Sequence, residues 1–314
     1  MRVTVCDGLG ALSMFMLRLL SILSLLAATP AVAQDRVALG WGRLFSNDAL
    51  GDGQDRWRTG GTVFSGVRGP SWDGALPAAP GEILEFRLRG DIFAPANLVT
   101  AAPGDRRYAG TLSLGLHTHF SMGQAEAAVG ADIVVIGRQT GLGRFQARAH
   151  DLLGMDAPGV LDDQIGNQVR PTLVFEVGQA FRLSPRVTVR PFVEAQVGAE
   201  TLLRAGGDVV IGGAWSGALM LRDNGTGQRY AGISWENKGL SFTLGGDVAR
   251  MYGSAYLPEG GAAELSDIRS RLRAGVEWQG ERLDAFYGLT YLSPEFEGQD
   301  EGQVLGSVRV DFSF

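Results

Sequence analysis

Apolar and polar residues alternate with a period of two along most of this chain. In EILEFRLRGDIF, Leu84, Phe86 and Leu88 share one face while Glu85, Arg87 and Arg89 share the other. In IRSRLRAGVEW the apolar face is Leu272, Ala274, Val276 and Trp278, against Arg269, Arg271, Arg273 and Glu277. In VLGSVRVDFSF, Val308, Val310, Phe312 and Phe314 oppose Ser307, Arg309, Asp311 and Ser313. Period two is the strand signal. Twelve such segments are expected near 38–46, 58–67, 82–93, 107–120, 124–137, 168–181, 186–198, 203–215, 239–252, 267–279, 282–292 and 303–314.

The polar face separates two architectures. A soluble sandwich would turn it to water. Here it mixes Arg with Glu and Asp, as an interior filled with ion pairs would, and the apolar faces end in aromatics (Phe93, Phe120, Tyr291, Phe314), as interfacial girdles do. The expected fold is therefore all-β: a transmembrane antiparallel barrel of about 12 strands, with a short helix in an extracellular loop. An even strand count puts both termini in the periplasm, so loops after odd-numbered strands face outward. In such a barrel every backbone group is paired and no edge meets lipid.

Composition agrees. The stretch MFMLRLLSILSLLAATPAVAQ has one arginine, an apolar run and a small-residue Ala31-Val32-Ala33 site, which predicts a signal peptide over 1–33 and a barrel over 34–314. Met14 or Met16 could serve as the start. Cys6 lies before the apolar run, so the mature chain would hold no thiol and no disulfide. A leader carrying Arg2, Arg18 and Asp7 takes the formal charge from −6 to −7 on removal, which argues against a nucleic-acid partner.

Candidate chemistry gathers in three outward loops. The first, FSNDALGDGQDRWRTGG, holds Asn47, Asp48, Asp52, Asp55 and Thr59; it reads as an acidic turn or a loose calcium site without EF-hand spacing. The second is DIFAPANLVTAAPGDRR. The third, residues 137–167, contains a helix predicted over 142–153, in which Gln146 and His150 share a face beside an apolar stripe of Phe145, Ala149 and Leu152 that could lie on the barrel rim. An imidazole can deprotonate water, and a carboxylate-bound cation can polarise an ester carbonyl. Spacing alone favours a solvated loop histidine and an ordinary helix glutamine. His117 and His119 form an H-x-H pair towards the inward end of the fourth strand, read as interior polar filling. There is no Ser-centred nucleophile elbow, phosphate-binding glycine loop or zinc spacing.

In order along the chain stand Asn47-Asp48, Asp55-Arg56-x-x-Thr59, Gly104-Asp105-Arg106, DIVVIG at 132–137, Gln146-x-x-x-His150 and Asp163-Gln164-Ile165. This series resembles the lipid A 3′-O-deacylase family of Gram-negative outer membranes over about residues 37–181. The resemblance implies a twelve-stranded barrel whose site lies between its wall and a loop helix. It also implies calcium-dependent hydrolysis of the 3′ acyl or acyloxyacyl ester of lipid A in lipopolysaccharide. Carried over, His150 is the base that activates water, Asp48 helps hold Ca2+, Asn47 and Thr59 support metal and substrate, Gln146 orients groups beside His150, and Asp156 completes the cation site. Thr100 stands where the family has a basic residue that could meet a phosphate, with Arg106 or Arg107 as substitutes. Gly60 and Val160 replace a usual asparagine and tryptophan. Two other readings remain: a non-catalytic barrel (a pore or surface interaction protein), and an esterase acting on another envelope lipid.

Overall fold

The computed structural model describes residues 36–312 apart from 214 and 236; the expected leader and Phe314 lie outside them. The wall strands are β1 (Val37–Asn47), β2 (Trp57–Gly69), β3 (Ile83–Ala94), β4 (Ala109–Met122), β5 (Ala125–Ile136), β6 (Gln168–Gly178), β7 (Phe181–Ser184), β8 (Val187–Val197), β9 (Glu200–Ile211), β12 (Gly239–Ser254), β13 (Ile268–Gln279), β14 (Leu283–Leu292) and β15 (Gln303–Phe312). Consecutive strands pair antiparallel, and both β6 and β7 pair with β8, so these two are halves of one strand. Pairing of β1 with β15, Phe45 opposite Val308, closes a twelve-stranded barrel. Both described chain ends lie at one rim, here the lower; the loops after β1, β3 and β5 lie at the upper rim.

The alternation fixes which side faces out. Phe86, Leu114, Leu272 and Trp278 are exposed on the outer wall, while Glu85, Arg87, Arg271, Arg273 and Arg309 are buried inside. Arginines and carboxylates pair inside the lumen: Arg87 with Glu85, two residues away on the same strand, at 2.7 Å, Arg273 with Asp208 at 2.7 Å, and Arg309 with Glu277 at 2.6 Å. His117 meets Asp132 at 3.1 Å and His119 meets Glu85 at 2.8 Å, so the H-x-H pair is interior filling.

Two expectations need correction. Phe93 is not part of an outer aromatic girdle. It shares parity with Arg87 and Arg89, points inward, and stacks on Tyr256 with ring centroids 4.3 Å apart. The strand expected to reach residue 215 ends at Ile211, where Gly212 takes a φ of +135°. The lower segment that follows forms a second, two-stranded sheet of β10 (Leu219–Arg222) and β11 (Arg229–Ile233).

That hairpin occupies the lumen beside β1 to β3, leaving a cavity of about 470 Å³ lined by Arg87, His117, His119, Glu176 and Arg190 on its other side. Leu219, Leu221, Tyr230 and Ile233 pack on the inward residues Leu44, Val63, Val67 and Ile83. Its polar end is latched by ion pairs, Arg222 to Glu176 at 2.7 Å and Asp223 to Arg89. β1 yields the space through two glycines. A Cβ on Gly40 would sit 2.3 Å from the Gly232 carbonyl oxygen, and one on Gly42 2.6 Å from that of Ala231.

Gly42→Val should therefore push the hairpin off the wall, at an overpacking cost of about 1–3 kcal/mol. In planar bilayers the native protein should show no steady conductance, whereas the variant should unfold at lower temperature and conduct. A variant as stable and as silent as the parent would refute the plug.

Candidate active site

The loop from Asn47 to Thr59 wraps around one carboxylate. Asn47 caps a short 3-10 turn, its Oδ1 accepting from the Ala49 amide at 2.8 Å, while its Nδ2 donates to the Thr59 carbonyl at 2.5 Å. The cap thus ties the end of β1 to the start of β2. Gly60 keeps this tie open, since a Cβ there would fall 3.2 Å from Asn47 Nδ2. Asp48 is 1% exposed; its Oδ2 accepts from the Arg56 amide at 2.9 Å, and its carbonyl accepts from the amides of Gly51 and Gly53.

Two departures from regular strand geometry aim the rest. Trp57 has φ +51°, the one non-glycine residue with positive φ among the described residues, in a region that costs of order 1–3 kcal/mol. Its side chain is anchored in a cluster with Leu257, Ala263 and Phe296. Next, the pairing register of β2 with β3 slips between Arg58 and Gly60, leaving Thr59 in a bulge; such irregularities re-aim side chains. Thr59 is buried there, on the same groove as Asp48.

The third loop supplies the facing wall. Helix α1 spans Leu142–Leu153, between left-handed glycines at 141 and 154, and buries Gln146 and His150. His150 Nδ1 lies 2.8 Å from the Asp156 carbonyl oxygen, which can only accept, so Nδ1 carries a proton. His150 Nε2 lies 2.9 Å from Asp55 Oδ2, and Gln146 Nε2 lies 3.5 Å from Asp55 Oδ1. Gln146 Oε1 is buried with no partner. Asp55 thus joins the two loops.

These groups line a groove of about 520 Å³ between the helix and the outer wall. Phe45, Phe64, Leu88 and Leu112 form its floor from the lipid-facing side, and Leu142, Phe145, Ala149 and Leu153 form its other side. The helical stripe therefore does not lie against the rim as expected: Phe145 and Leu152 are 66% and 87% exposed.

Charge in the groove is unbalanced. Burial, helped by the neighbouring Asp55 and Asp52 carboxylates, pushes the Asp48 carboxyl up to about 8 despite the amides of Arg56 and Ala49. Burial also raises Asp55, against the opposing pull of His150. Among the described residues no cationic side chain pairs with Asp48. A buried carboxyl with no cationic side-chain partner holds a proton until a cation displaces it, and once ionised beside amide and hydroxyl oxygens it is the donor a hard divalent cation prefers. The described residues hold no ready cage of three acidic or imidazole side chains, so an ion would rest on Asp48 with neutral oxygens. The Asp156 carboxylate is exposed; the left-handed turn at Gly154 brings the residue's carbonyl, not its side chain, to His150.

Other sequence candidates act elsewhere. Arg106 is buried against Glu295 at 2.5 Å, Arg107 pairs with Asp163 at the surface, and neither lines the groove. Thr100 is exposed and does not line the groove. Val160 packs with Ala94, Leu98 and Tyr108, joining the second loop to the third. Asp132 of the DIVVIG block serves the lumen as the partner of His117.

A family model for Outer membrane protein LpxR matches residues 19–314. The solved structure of LpxR from Salmonella typhimurium superposes with a TM-score of 0.73 at 21% identity, over 88% of this chain and 100% of that one. The likeness to the NanC porin is looser, with TM-score 0.41 and 6% identity over 88% of this chain and 100% of that one. The translocator domain of the autotransporter NalP from Neisseria meningitidis reaches 0.40 at 12%, over 98% of each chain. No curated protein matches the chain. With its model matched over nearly the whole length, the chain belongs to the LpxR family of outer membrane proteins.

Proposed function

We propose that the upper rim faces the cell exterior and that the groove hydrolyses the 3′-linked acyl or acyloxyacyl ester of lipid A. One observation carries this reading. A histidine–carboxylate pair and a buried, unneutralised Asp48 meet at the mouth of an apolar groove that opens on the lipid-facing wall. An acyl chain can enter such a groove from the membrane while its ester stays at the polar end. The lumen, obstructed by a hairpin and ion pairs, speaks against an open pore.

With Nδ1 donating to the Asp156 carbonyl, Nε2 is the nitrogen left to exchange a proton with water. Water entering between Nε2 and Asp55 gives its proton to His150 as its oxygen bonds to the ester carbonyl carbon. The carbon–oxygen bond to the sugar then breaks. His150 returns the proton to the sugar oxygen, leaving a fatty acid and a free hydroxyl. Asp55 stabilises the transient imidazolium, and the unpartnered Gln146 Oε1 accepts a hydrogen bond from the water or a sugar hydroxyl. Asp48, with Asn47 and Thr59 beside it, would hold a divalent cation such as Ca2+, which when bound supplies positive charge for the developing oxyanion.

Mass spectrometry of lipid A incubated with detergent-purified protein and calcium should show loss of a 3′ acyl or acyloxyacyl mass, abolished by EDTA. Unchanged lipid A with folded protein would sink the reading. Loss of chains from phospholipid instead would make the groove an esterase for another envelope lipid.

His150→Ala should lower turnover by roughly 10²–10⁴-fold, the usual range for a general base. Asp55→Asn should lower kcat more than it changes KM. Equal activity in the His150 variant would remove the histidine from the chemistry.

A further inference from the structure

Helix α1 borders the groove with an apolar face that the protein leaves largely uncovered. Leu152 and Leu153 are 87% and 71% exposed, and Phe145, although it lines the groove, is 66% exposed. At 100° per residue, Leu152, Phe145, Ala149, Leu142 and Leu153 occupy one continuous sector. Gln146 and His150 flank it on the protein side; Arg144 and Arg148 flank it on the other. The apolar sector continues the exposed outer wall through Phe45, Phe64 and Leu88, which line the groove with it.

The two arginines are set apart by their lack of partners. Elsewhere at the upper rim Arg56 pairs with Glu301, Arg58 and Arg106 with Glu295, Arg107 with Asp163 and Arg138 with Asp162. Arg144 and Arg148 are exposed, and no ion pair or side-chain hydrogen bond engages them among the described residues. An apolar sector edged by unpaired arginines is the pattern of a helix lying in a membrane interface.

We propose that α1 is an interfacial helix. Phe145, Leu152 and Leu153 enter the acyl region of the leaflet around the upper rim, and Arg144 and Arg148 bind the phosphates of its anionic headgroups. Docking on the leaflet holds the open side of the groove against lipid, so an acyl chain passes from the bilayer to the site without crossing water. The same helix then carries both His150 and the cations that keep it at headgroup depth. This inference rests on the membrane-embedded barrel and not on ester hydrolysis.

The test places an environment-sensitive fluorophore on Leu152→Cys, in protein whose single native cysteine, Cys6, is replaced by Ser. A second label on Glu259→Cys, exposed in another loop of that rim, is the control. Both are reconstituted in phosphatidylcholine vesicles with or without phosphatidylglycerol; neither contains lipid A, so the result does not depend on hydrolysis. The Leu152 probe should be blue-shifted, quenched by brominated acyl chains and shielded from iodide, while the Glu259 probe should not. Phosphatidylglycerol should deepen the difference. Arg144→Gln and Arg148→Gln should each reduce the ratio of buried to exposed probe by roughly fivefold there, as about 1 kcal/mol per surface arginine implies. Equal iodide access at the two positions would overturn the proposal. Insertion indifferent to anionic lipid and to both arginines would overturn the headgroup assignment.

Discussion

Hydrocarbon against one face of every strand drives charge to the other face, and charge inside a closed lumen has to be neutralised where it stands. Most of the architecture follows from that pressure. Arg87, Arg273 and Arg309 each find a carboxylate on the lumen face, and the histidines of β4 find Asp132 and Glu85. Part of the space that remains is taken by a hairpin whose apolar side packs on β1 to β3 and whose polar end is held by Arg89 and Glu176. Removing one partner of such a pair would strand a buried charge, at a cost of about 3–5 kcal/mol.

Against that background an unneutralised group stands out. Asp48 is as buried as the lumen acids, yet hydrogen bonds reach it from backbone amides and no guanidinium does. Its position depends on local irregularity: a capped 3-10 turn, a left-handed Trp57 and a bulge at Thr59. Regular strands could not have turned Asp48, Asp55 and Thr59 towards a groove on the outer wall. The lumen network and the packed hairpin supply a rigid wall against which that irregular loop is held.

Much of this was legible in the residues, for definite physical reasons. Period-two alternation exposes lipid-facing strands because each face meets a single kind of environment, and α1 matches its expected span because glycines bracket it. The lumen hairpin was not legible. Strands of four and five residues, alternating like wall strands, carry no mark of lying inside rather than in the wall. Phe93 looks like a girdle aromatic because it ends its strand, but its parity with Arg87 and Arg89 turns it inward. Asp55 was visible as an acid in the first loop, but its meeting with His150 is made by two loops folding together, which no spacing records. Asp156 was singled out for its carboxylate, whereas its backbone carbonyl is what touches His150.

The most direct test of the proposed attack of water on the acyl carbon is isotopic. Lipid A cleaved by the protein in oxygen-18 water should yield fatty acid carrying one heavy oxygen and a sugar hydroxyl carrying none, because water adds to the acyl carbon. Heavy oxygen on the sugar, or fatty acid released without it, would contradict that chemistry.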